Sequence, residues 1–231
     1  MAAHLHRNIF SSHPIFDILD NMTLSGNRQR AALGIFLLLF GAALVTDHVV
    51  AAWALRCRVP VLDLVVGILN PIGSGITLLI ACAALALLAR RLRRLWLQDA
   101  AWLAALAFVC AGAVEFTLKH LVGRPRPDAA MATAGLLGPS FAADIDSFPS
   151  GHATSVFAVA AVFATYYPRL RWPLYGLAAA IALGRVYLER HYLSDIIAGA
   201  ALGLTVAVRL YRYRLIVPGR MILERAVDRS A

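Results

Sequence analysis

Gly184-Arg185-Val186-Tyr187-Leu188-Glu189-Arg190-His191-Tyr192-Leu193-Ser194-Asp195 is a charged stretch between two apolar segments, where a membrane helix should have little charge. His191 and Asp195 are four residues apart, so at the start of a helix their side chains share one face. A carboxylate behind an imidazole is the arrangement of an oriented nucleophile or base. Arg185 lies close enough in sequence to hold an anion near that imidazole. The stretch therefore predicts a site that needs partners from elsewhere in the chain.

The composition indicates a membrane protein. Of the 231 residues, 60% are hydrophobic and 15% are charged, and the mean hydropathy is +0.70. A soluble domain is about 45–50% apolar. The net charge of +9 could indicate nucleic-acid binding, but in so apolar a chain membrane topology explains it better. Three cysteines, Cys57, Cys82 and Cys110, indicate no disulfide framework. We therefore expect a polytopic membrane protein that does not bind nucleic acid.

Long apolar segments predict an all-α fold, a bundle of six transmembrane helices. The spans are expected at about 31–55, 76–89, 96–114, 153–167, 174–183 and 192–210. A shorter apolar segment at 59–69 ends in Pro and Gly residues and is predicted as a surface or re-entrant helix. We interpret residues 1–231 as one integral-membrane domain. Its six-helix core, 31–210, lies between a cytoplasmic or interfacial segment, 1–30, and a basic cytoplasmic tail, 211–231.

The distribution of basic residues predicts the orientation. Fifteen of the 22 Lys and Arg residues lie in segments that six spans place on the side of the termini, and seven lie on the other side. Because basic residues are enriched in cytoplasmic loops, we expect both termini in the cytoplasm and the 115–152 and 184–191 connections outside. In a bacterial inner membrane the outside is the periplasm. Five of the seven outward basic residues lie in these two connections, against the topological trend, which indicates a function there.

The outward connections contain the residues of an anion site. Lys119 and Arg126 follow the third span, and Ser150 is placed as the N-cap of the fourth. A helix N-terminus has unpaired backbone N–H groups that favour anions, and Gly151 lets a ligand approach the backbone closely. His152 follows directly. The junction of spans five and six adds Arg185, His191 and Asp195. Three cations and two histidines thus converge from three helix ends, and the ligand they fit is a phosphate group on a lipid.

Three motifs carry a family resemblance. They are Lys119-(six residues)-Arg126-Pro127, then Pro149-Ser150-Gly151-His152, then Arg185-(five residues)-His191-(three residues)-Asp195. In order and internal spacing they resemble the three-part motif of the type 2 phosphatidic acid phosphatase superfamily, which includes membrane lipid phosphatases and the soluble vanadium haloperoxidases. The six-helix layout extends the likeness over most of the chain. One position departs from the family, since Gly184 stands where Ser is usual. We expect this to alter affinity or substrate fit rather than to abolish activity.

The resemblance implies a role for each matched residue. His191 would attack phosphorus and form a phosphohistidine, Asp195 would hold its ring orientation, and His152 would protonate the leaving oxygen and then activate water. The phosphoryl oxygens would be bound by Lys119, Arg126, Ser150, Gly151 and Arg185. No metal-ligand cluster is evident in the sequence, and the resemblance implies a metal-independent enzyme without a cofactor. The substrate would be a polyprenyl diphosphate, phosphatidylglycerol phosphate, phosphatidic acid or a lipid A phosphate.

Two other functions stay open. The same fold would support a phosphotransferase that passes the phosphoryl group from His191 to a lipid or sugar hydroxyl instead of water. A non-catalytic transporter or phospholipid-binding protein would use the charges to line a pathway. Membrane lipids are the expected partners in each case, with no obligate protein partner.

Several other polar residues have plainer interpretations. Glu115 is expected to pair with Lys119 along the helix. Asp47 and His48 lie near a boundary of the first span and are expected to be solvated or paired. The remaining loop residues are expected to be solvated or to contact lipid phosphate or a headgroup: His120, Arg124, Asp144, Asp146 and Arg190.

Overall fold

The described part of the chain is helical, in agreement with the expected all-α class. A computed structural model of the protein describes residues 26–129, 135–142 and 144–216. The helices are α1 (Gly26–Arg56), α2 (Pro60–Ile72), α3 (Gly75–Arg91), α4 (Leu95–Val122), α5 (Gly151–Tyr166), α6 (Arg171–Tyr187) and α7 (Leu193–Ile216). A short 3₁₀ turn, Pro168–Leu170, leads into α6. The expectations for residues 1–25 and 217–231 lie outside the described residues.

The chain divides into two compact units within α1. The first unit ends at Gly41, and the second begins at Ala42 and contains α2 to α7. In the first unit, α1 carries exposed apolar side chains such as Leu33, Ile35 and Leu37. Exposed apolar surface of this kind suits contact with lipid tails rather than with water.

The spans are fewer than expected when they are judged by helix length and composition alone. Among the described helices, three are long and apolar enough to cross a bilayer: Gln29–Arg56, Leu95–Val122 and Leu193–Tyr213. α2 and α3 pass the same test as a pair that is bent by 57° at its break, which would make a fourth span or a re-entrant loop. α5 is apolar but has 16 residues, and α6 has 17. The described region therefore contains three or four candidate spans, and the six-span layout stays a prediction.

α5 is the central helix of the second unit. It packs against α3, α4, α6 and α7. Small side chains permit this close packing, since all five alanines of the helix are buried. The first turn of α5, which begins at Gly151 and includes His152, is fixed in place by these neighbours. The packing of one small-residue helix thus positions one side of the predicted site.

Two glycines bring α7 against α5. A Cβ atom at Gly199 would lie 2.6 Å from the backbone oxygen of Ser150, and one at Gly203 would lie 2.3 Å from that of Thr154. No real side chain fits at such distances, so only glycine lets the two backbones approach this closely. As a result the start of α7 adjoins the start of α5, and the Ser150 N–H donates to the backbone oxygen of Asp195 at 3.1 Å.

α4 extends eight residues beyond the expected end of the third span, to Val122, so that Lys119 lies on its last turns. Gly123 then ends the helix in the left-handed region, with φ 56°, and its N–H donates to the Lys119 backbone oxygen. A Cβ atom at Gly123 would overlap the backbone oxygen of Gly138. This glycine cap reverses the chain, so that Arg124 and Arg126 follow in the loop.

Candidate active site

The imidazole of His191 is buried and held by a backbone carbonyl. Its Nδ1 lies 2.7 Å from the backbone oxygen of Ser147. A carbonyl oxygen can only accept a hydrogen bond, so Nδ1 carries the proton and the lone pair of the neutral ring is on Nε2. Nε2 is therefore the nitrogen that is available for attack on an electrophile.

The surroundings of His191 keep the ring neutral. Burial lowers its pKa well below the usual value near 6.5, and the positive charges of Arg185, Lys119 and Arg126 act in the same direction. The hydrogen bond to Ser147 only partly opposes this. The three cations predicted from separate parts of the sequence thus all act on one imidazole, which is maintained in the form that has a free lone pair.

Asp195 lies close to His191 but does not bond to its ring. The carboxylate Oδ2 is 3.9 Å from Nδ1, beyond hydrogen-bond distance. Oδ2 instead accepts from the Ser147 hydroxyl at 2.6 Å and from the Tyr192 N–H at 2.8 Å. The role expected for Asp195, to hold the orientation of the ring, stays a prediction, and the structure gives it an indirect route. Asp195 holds Ser147, and the backbone oxygen of Ser147 holds the ring.

A guanidinium links Asp195 to a second buried carboxylate. Arg124 donates from Nη1 to Asp195 Oδ1 at 2.6 Å and from Nη2 to Asp47 Oδ2 at 2.7 Å. Asp47 also accepts from the backbone N–H and the hydroxyl of Ser194. The guanidinium lies over the ring of Tyr192, 4.2 Å from its centroid. Burial opposes the charge, but Asp195 and Asp47 raise the pKa of Arg124, so it stays a cation.

The interpretation of Arg124 as a headgroup or solvent contact is therefore wrong, because this residue points inward. Asp47 was expected to be either solvated or paired, and the structure confirms that it is paired. Its carboxylate is only 1% exposed. The position of Asp47 inside an apolar segment was the sequence feature that could indicate a role for it. Its partner Arg124, 77 residues away, could not be read from spacing.

The predicted phosphate-binding cations each have a protein partner. Lys119 Nζ lies 2.8 Å from Glu115 Oε1, which confirms that pair. Arg126 donates to both oxygens of Asp146, from Nε at 2.7 Å and from Nη2 at 2.9 Å. The expectation that Asp146 is a solvated loop charge is therefore wrong. Asp146 fixes the orientation of the Arg126 guanidinium, and its Oδ2 also lies 3.7 Å from Lys119 Nζ.

Three buried side-chain polar atoms have no hydrogen-bond partner among the described residues, and one of them, Glu115 Oε1, lies in the ion pair with Lys119. The other two are His152 Nε2 and Arg185 Nε. His152 makes a hydrogen bond to the backbone of Asn70. Because Nε2 has no partner, this bond is made by the other ring nitrogen, Nδ1. Arg185 donates from Nη1 to the Asn70 side chain. Because buried polar groups are almost always paired, these two atoms indicate where a polar ligand binds.

The start of α5 has the expected geometry. Ser150 is the N-cap, and its hydroxyl accepts from the Ala153 N–H, which confirms the predicted cap. Gly151 lies against Glu115, since a Cβ atom there would be 3.0 Å from Glu115 Oε1. Ser150, Gly151 and His152 therefore adjoin the Lys119–Glu115 pair of α4.

Gly184, the position that departs from the family motif, faces a neighbouring helix. It is buried in α6, and a Cβ atom there would lie 3.3 Å from a methyl group of Val66 on α2. That distance is tighter than most side-chain contacts. A serine at this position would require Val66 to move, so the glycine and the valine fit each other.

The other predicted residues lie at the edge of the site or outside it. His120 lies between the rings of Phe116 and Phe141, and its Nδ1 is 2.8 Å from the Ser140 backbone oxygen, so it is a packed structural residue. Arg190 pairs with Asp128 at 3.1 Å. Within residues 26–129, 135–142 and 144–216, no group of three or more His, Cys, Asp or Glu side chains is placed to hold a metal ion.

Comparison with protein families identifies the family of the chain. The family model described as the PAP2 superfamily matches residues 100–216, which include most of α4, all of α5, α6 and α7, and all three motifs. The match covers half of the chain. The chain belongs to the PAP2 superfamily.

Named relatives within the PAP2 superfamily are lipid phosphatases. The lipid A 1-phosphatase of Rhizobium etli is 38% identical over 107 residues, covering 44% of this chain and 46% of the relative. The decaprenylphosphoryl-5-phosphoribose phosphatase of Mycobacterium tuberculosis is 41% identical over 123 residues, covering 50% of this chain and 59% of the relative. The chain thus spans about half the length of the curated relatives that it matches.

Solved PAP2 structures have a similar fold. The transmembrane PAP2-type phosphatidylglycerolphosphate phosphatase of Bacillus subtilis matches with a TM-score of 0.59 and 22% identity, covering 82% of this chain and 98% of that chain. Aquifex aeolicus LpxE matches with a TM-score of 0.55 and 22% identity, covering 78% and 94%. Together with the apolar helices, these structures support an integral membrane protein.

Proposed function

We propose that this PAP2 protein is a metal-independent lipid phosphatase that works through a phosphohistidine on His191. The observation that carries the proposal is a neutral imidazole beside two unpaired polar atoms. Nε2 of His191 has the lone pair, while His152 Nε2 and Arg185 Nε are buried without a protein partner among the described residues. A phosphoryl group would pair with both atoms, and its phosphorus would face the nucleophile.

In the first step the Nε2 lone pair of His191 attacks phosphorus in line. Burial and the charge of Arg185 lower the pKa of His152 to about 4, so its ring is neutral before substrate binds and would take up a proton together with the anionic phosphate. The N–P bond then forms as the bond from phosphorus to the lipid oxygen breaks, and His152 gives this proton to that oxygen. The ring of His191 becomes positively charged. The Ser147 backbone oxygen at Nδ1 and the Asp195 carboxylate, 3.9 Å away, stabilise this charge.

In the second step water attacks the phosphohistidine. His152, now neutral, takes a proton from the water as its oxygen bonds to phosphorus, and the N–P bond breaks with its electron pair returning to His191 Nε2. Phosphate leaves, and both histidines regain their starting forms. Lys119, Arg126 and Arg185 bind the phosphoryl oxygens in both steps, with help from Ser150 and the Gly151 N–H.

The proposed substrate is a phosphate mono- or diphosphate ester of a membrane lipid. Relatives named for lipid A, for decaprenylphosphoryl-5-phosphoribose and for phosphatidylglycerolphosphate support this class. Polyprenyl diphosphate, phosphatidylglycerol phosphate, phosphatidic acid and lipid A phosphates are therefore the compounds to compare. Hydrolysis would be measured as phosphate release by the purified protein, with no acceptor other than water.

We expect His191→Ala to abolish phosphate release from every substrate. His120→Ala is the matched control, because His120 is packed between two aromatic rings outside the site, and it should retain activity. Activity in His191→Ala would contradict the proposed mechanism and favour a binding or transport protein. Phosphate transfer that requires an added lipid or sugar hydroxyl would favour a phosphotransferase. A loss of activity with a chelator that added metal reverses would contradict the metal-independent step.

The proposed topology places the site on the outer face of a bacterial inner membrane. Residues 31–210 would form the six-span core of a single membrane domain, with both termini in the cytoplasm. The excess of basic residues on the side of the termini supports this orientation. A reporter inserted near Asp144 should be active only in the periplasm, and a cytoplasmic signal there would contradict the orientation.

A further inference from the structure

One cavity, lined in part by Arg126 and Arg185, is larger than one phosphoryl group requires. Its volume is about 530 Å³. Pockets for whole small-molecule ligands are roughly 300–1,000 Å³. Two of the predicted phosphate-binding residues, Arg126 and Arg185, line it, and two further arginines, Arg58 and Arg190, line it as well. The cavity therefore has room and positive charge beyond the reacting phosphate.

The two additional arginines make weak, exposed ion pairs, and Arg58 also lies over the ring of Tyr187, 5.7 Å from its centroid. Arg58 Nη2 lies 3.0 Å from Glu189 Oε1, and Arg190 Nη1 lies 3.1 Å from Asp128 Oδ2. Both arginine side chains are nearly half exposed. Exposed pairs of this kind contribute little, and each guanidinium has five N–H donors. Either arginine can therefore bind an anionic oxygen while it keeps or exchanges its carboxylate partner.

The backbones of Arg185 and Arg190 are joined, and Arg58 lies at the same turn. The backbone N–H of Arg190 donates to the backbone oxygen of Arg185 at 3.0 Å. Arg58 is joined to the same turn through its ion pair with Glu189. A substrate whose reacting phosphate lies at Arg185 would thus present its next anionic group to Arg190 and Arg58.

We propose that Arg58 and Arg190 form a second anion subsite, which binds a second phosphoryl group of the same substrate molecule. This proposal rests on the proposed phosphatase function and narrows its substrate class to lipids that carry two phosphoryl groups. The second group is either joined directly to the first, as in a prenyl diphosphate, or placed on a sugar headgroup. Arginine suits this task because its planar fork binds phosphate oxygens in pairs.

A comparison of two prenyl substrates tests the subsite in the active enzyme. Phosphate release would be measured for farnesyl diphosphate and farnesyl monophosphate, which share one lipid. In Arg58→Gln and in Arg190→Gln, the ratio of the two kcat/KM values should shift about tenfold against the diphosphate. Arg56→Gln is the matched control, since Arg56 is exposed near Arg58 in the chain and does not line the cavity. Its ratio should equal that of the unmodified protein.

An unchanged ratio for the farnesyl substrates, whether both lose activity equally or neither does, would overturn the subsite for a directly joined diphosphate. A lipid A disaccharide bearing two phosphates, compared with its monophosphate, tests the sugar-headgroup arm in the same way. The subsite stands if either pair of substrates shows the shift and fails if neither does.

A binding measurement separates the subsite from the proposed chemistry. Inorganic pyrophosphate and inorganic phosphate would be titrated into His191→Ala protein by calorimetry, with no turnover required. Pyrophosphate should bind more tightly than phosphate, and Arg190→Gln should reduce this difference about tenfold. Equal binding of the two anions would overturn a subsite for a joined diphosphate even if the enzyme is a phosphatase. Tight pyrophosphate binding, together with no phosphate release by the unmodified protein from any lipid phosphate, would instead contradict only the proposed function.

Discussion

Two groups of polar or charged side chains adjoin the turn that carries His191, and they differ in their exposure to water. Behind the ring, Asp47, Ser147 and Asp195 are buried, and each has its hydrogen bonds filled by Arg124 or by neighbouring groups. At the cavity, Arg58 and Arg190 are nearly half exposed and make single ion pairs.

The difference in burial indicates that the two groups have different roles. A buried charge without its partner is costly, so the network around Arg124 has one stable arrangement and can hold the imidazole accurately. An exposed ion pair is weak, so the arginines at the cavity can exchange partners when an anion arrives. The predicted effects of substitution should therefore be large behind the ring and small at the cavity.

The largest effect is expected on removal of the buried cation. Arg124→Met leaves Asp47 and Asp195 buried without a counterion, and the free energy of unfolding should fall by about 3–5 kcal/mol. Arg190→Met, the control at the cavity, should lose less than about 1 kcal/mol. Both values would come from unfolding of the purified protein in detergent. Equal losses in the two variants would contradict the distinction between the two groups.

Substitution of the carboxylate behind the ring should affect catalysis next most strongly. Asp195→Asn keeps the shape of the side chain but weakens its hold on Ser147 and Arg124, so kcat should fall about a hundredfold. KM should change little, because Asp195 is not expected to contact the substrate. Steady-state kinetics check this split, with Asp99→Asn as the control, because Asp99 is buried at the opposite end of α4 from Lys119 and accepts from the Tyr166 hydroxyl. A rise in KM at unchanged kcat would show that Asp195 acts on substrate binding instead.

The pH dependence of His191 tests its buried environment directly. Burial and the charges of Arg185 and Lys119 lower its pKa, so the ring should stay neutral as the pH falls below 6.5. At pH 5.5 an ordinary imidazole would be about nine-tenths protonated. Nitrogen NMR of histidine-labelled protein, assigned by comparison with His191→Ala, should show the neutral ring with its proton on Nδ1. A ring that is mostly protonated at pH 5.5 would contradict the proposed neutral nucleophile.

The smallest effect is expected at the position that departs from the family motif. Gly184→Ser places a Cβ atom 3.3 Å from Val66, and the overpacking should cost about 1 kcal/mol of stability. Val66→Ala in the same chain should recover most of that cost, as a double-mutant cycle would show. Unfolding and kcat/KM would both be measured. A tenfold gain in kcat/KM for Gly184→Ser would show instead that the missing hydroxyl limits phosphate binding.

The sequence predicted the parts of this site that depend on local spacing. Ser150 caps α5 and Glu115 pairs with Lys119 because both contacts join residues three or four positions apart on a helix. The long-range partners could not be predicted. Arg124 donates to Asp47, which is 77 residues away in the chain. The His191 ring is held by the backbone oxygen of Ser147, and a pattern of side chains does not reveal a backbone contact.

The span count shows a related limit. Apolar composition correctly indicated a helical membrane protein, but it does not say whether a short helix such as α5 spans the bilayer or is enclosed by longer neighbours. α5 is buried by packing against helices on several sides. Its apolar sequence is therefore explained by contact with protein as well as by contact with lipid.

Direct detection of the covalent intermediate tests the central proposal most closely. Purified protein would be mixed with a lipid phosphate, quenched at alkaline pH within the first turnover, digested, and examined by mass spectrometry for phosphate on His191. We predict an acid-labile phosphate on that residue in the unmodified protein, and neither the phosphate nor turnover in His191→Ala. Continued phosphate release by His191→Ala, or turnover by the unmodified protein with no phosphate on His191, would contradict it.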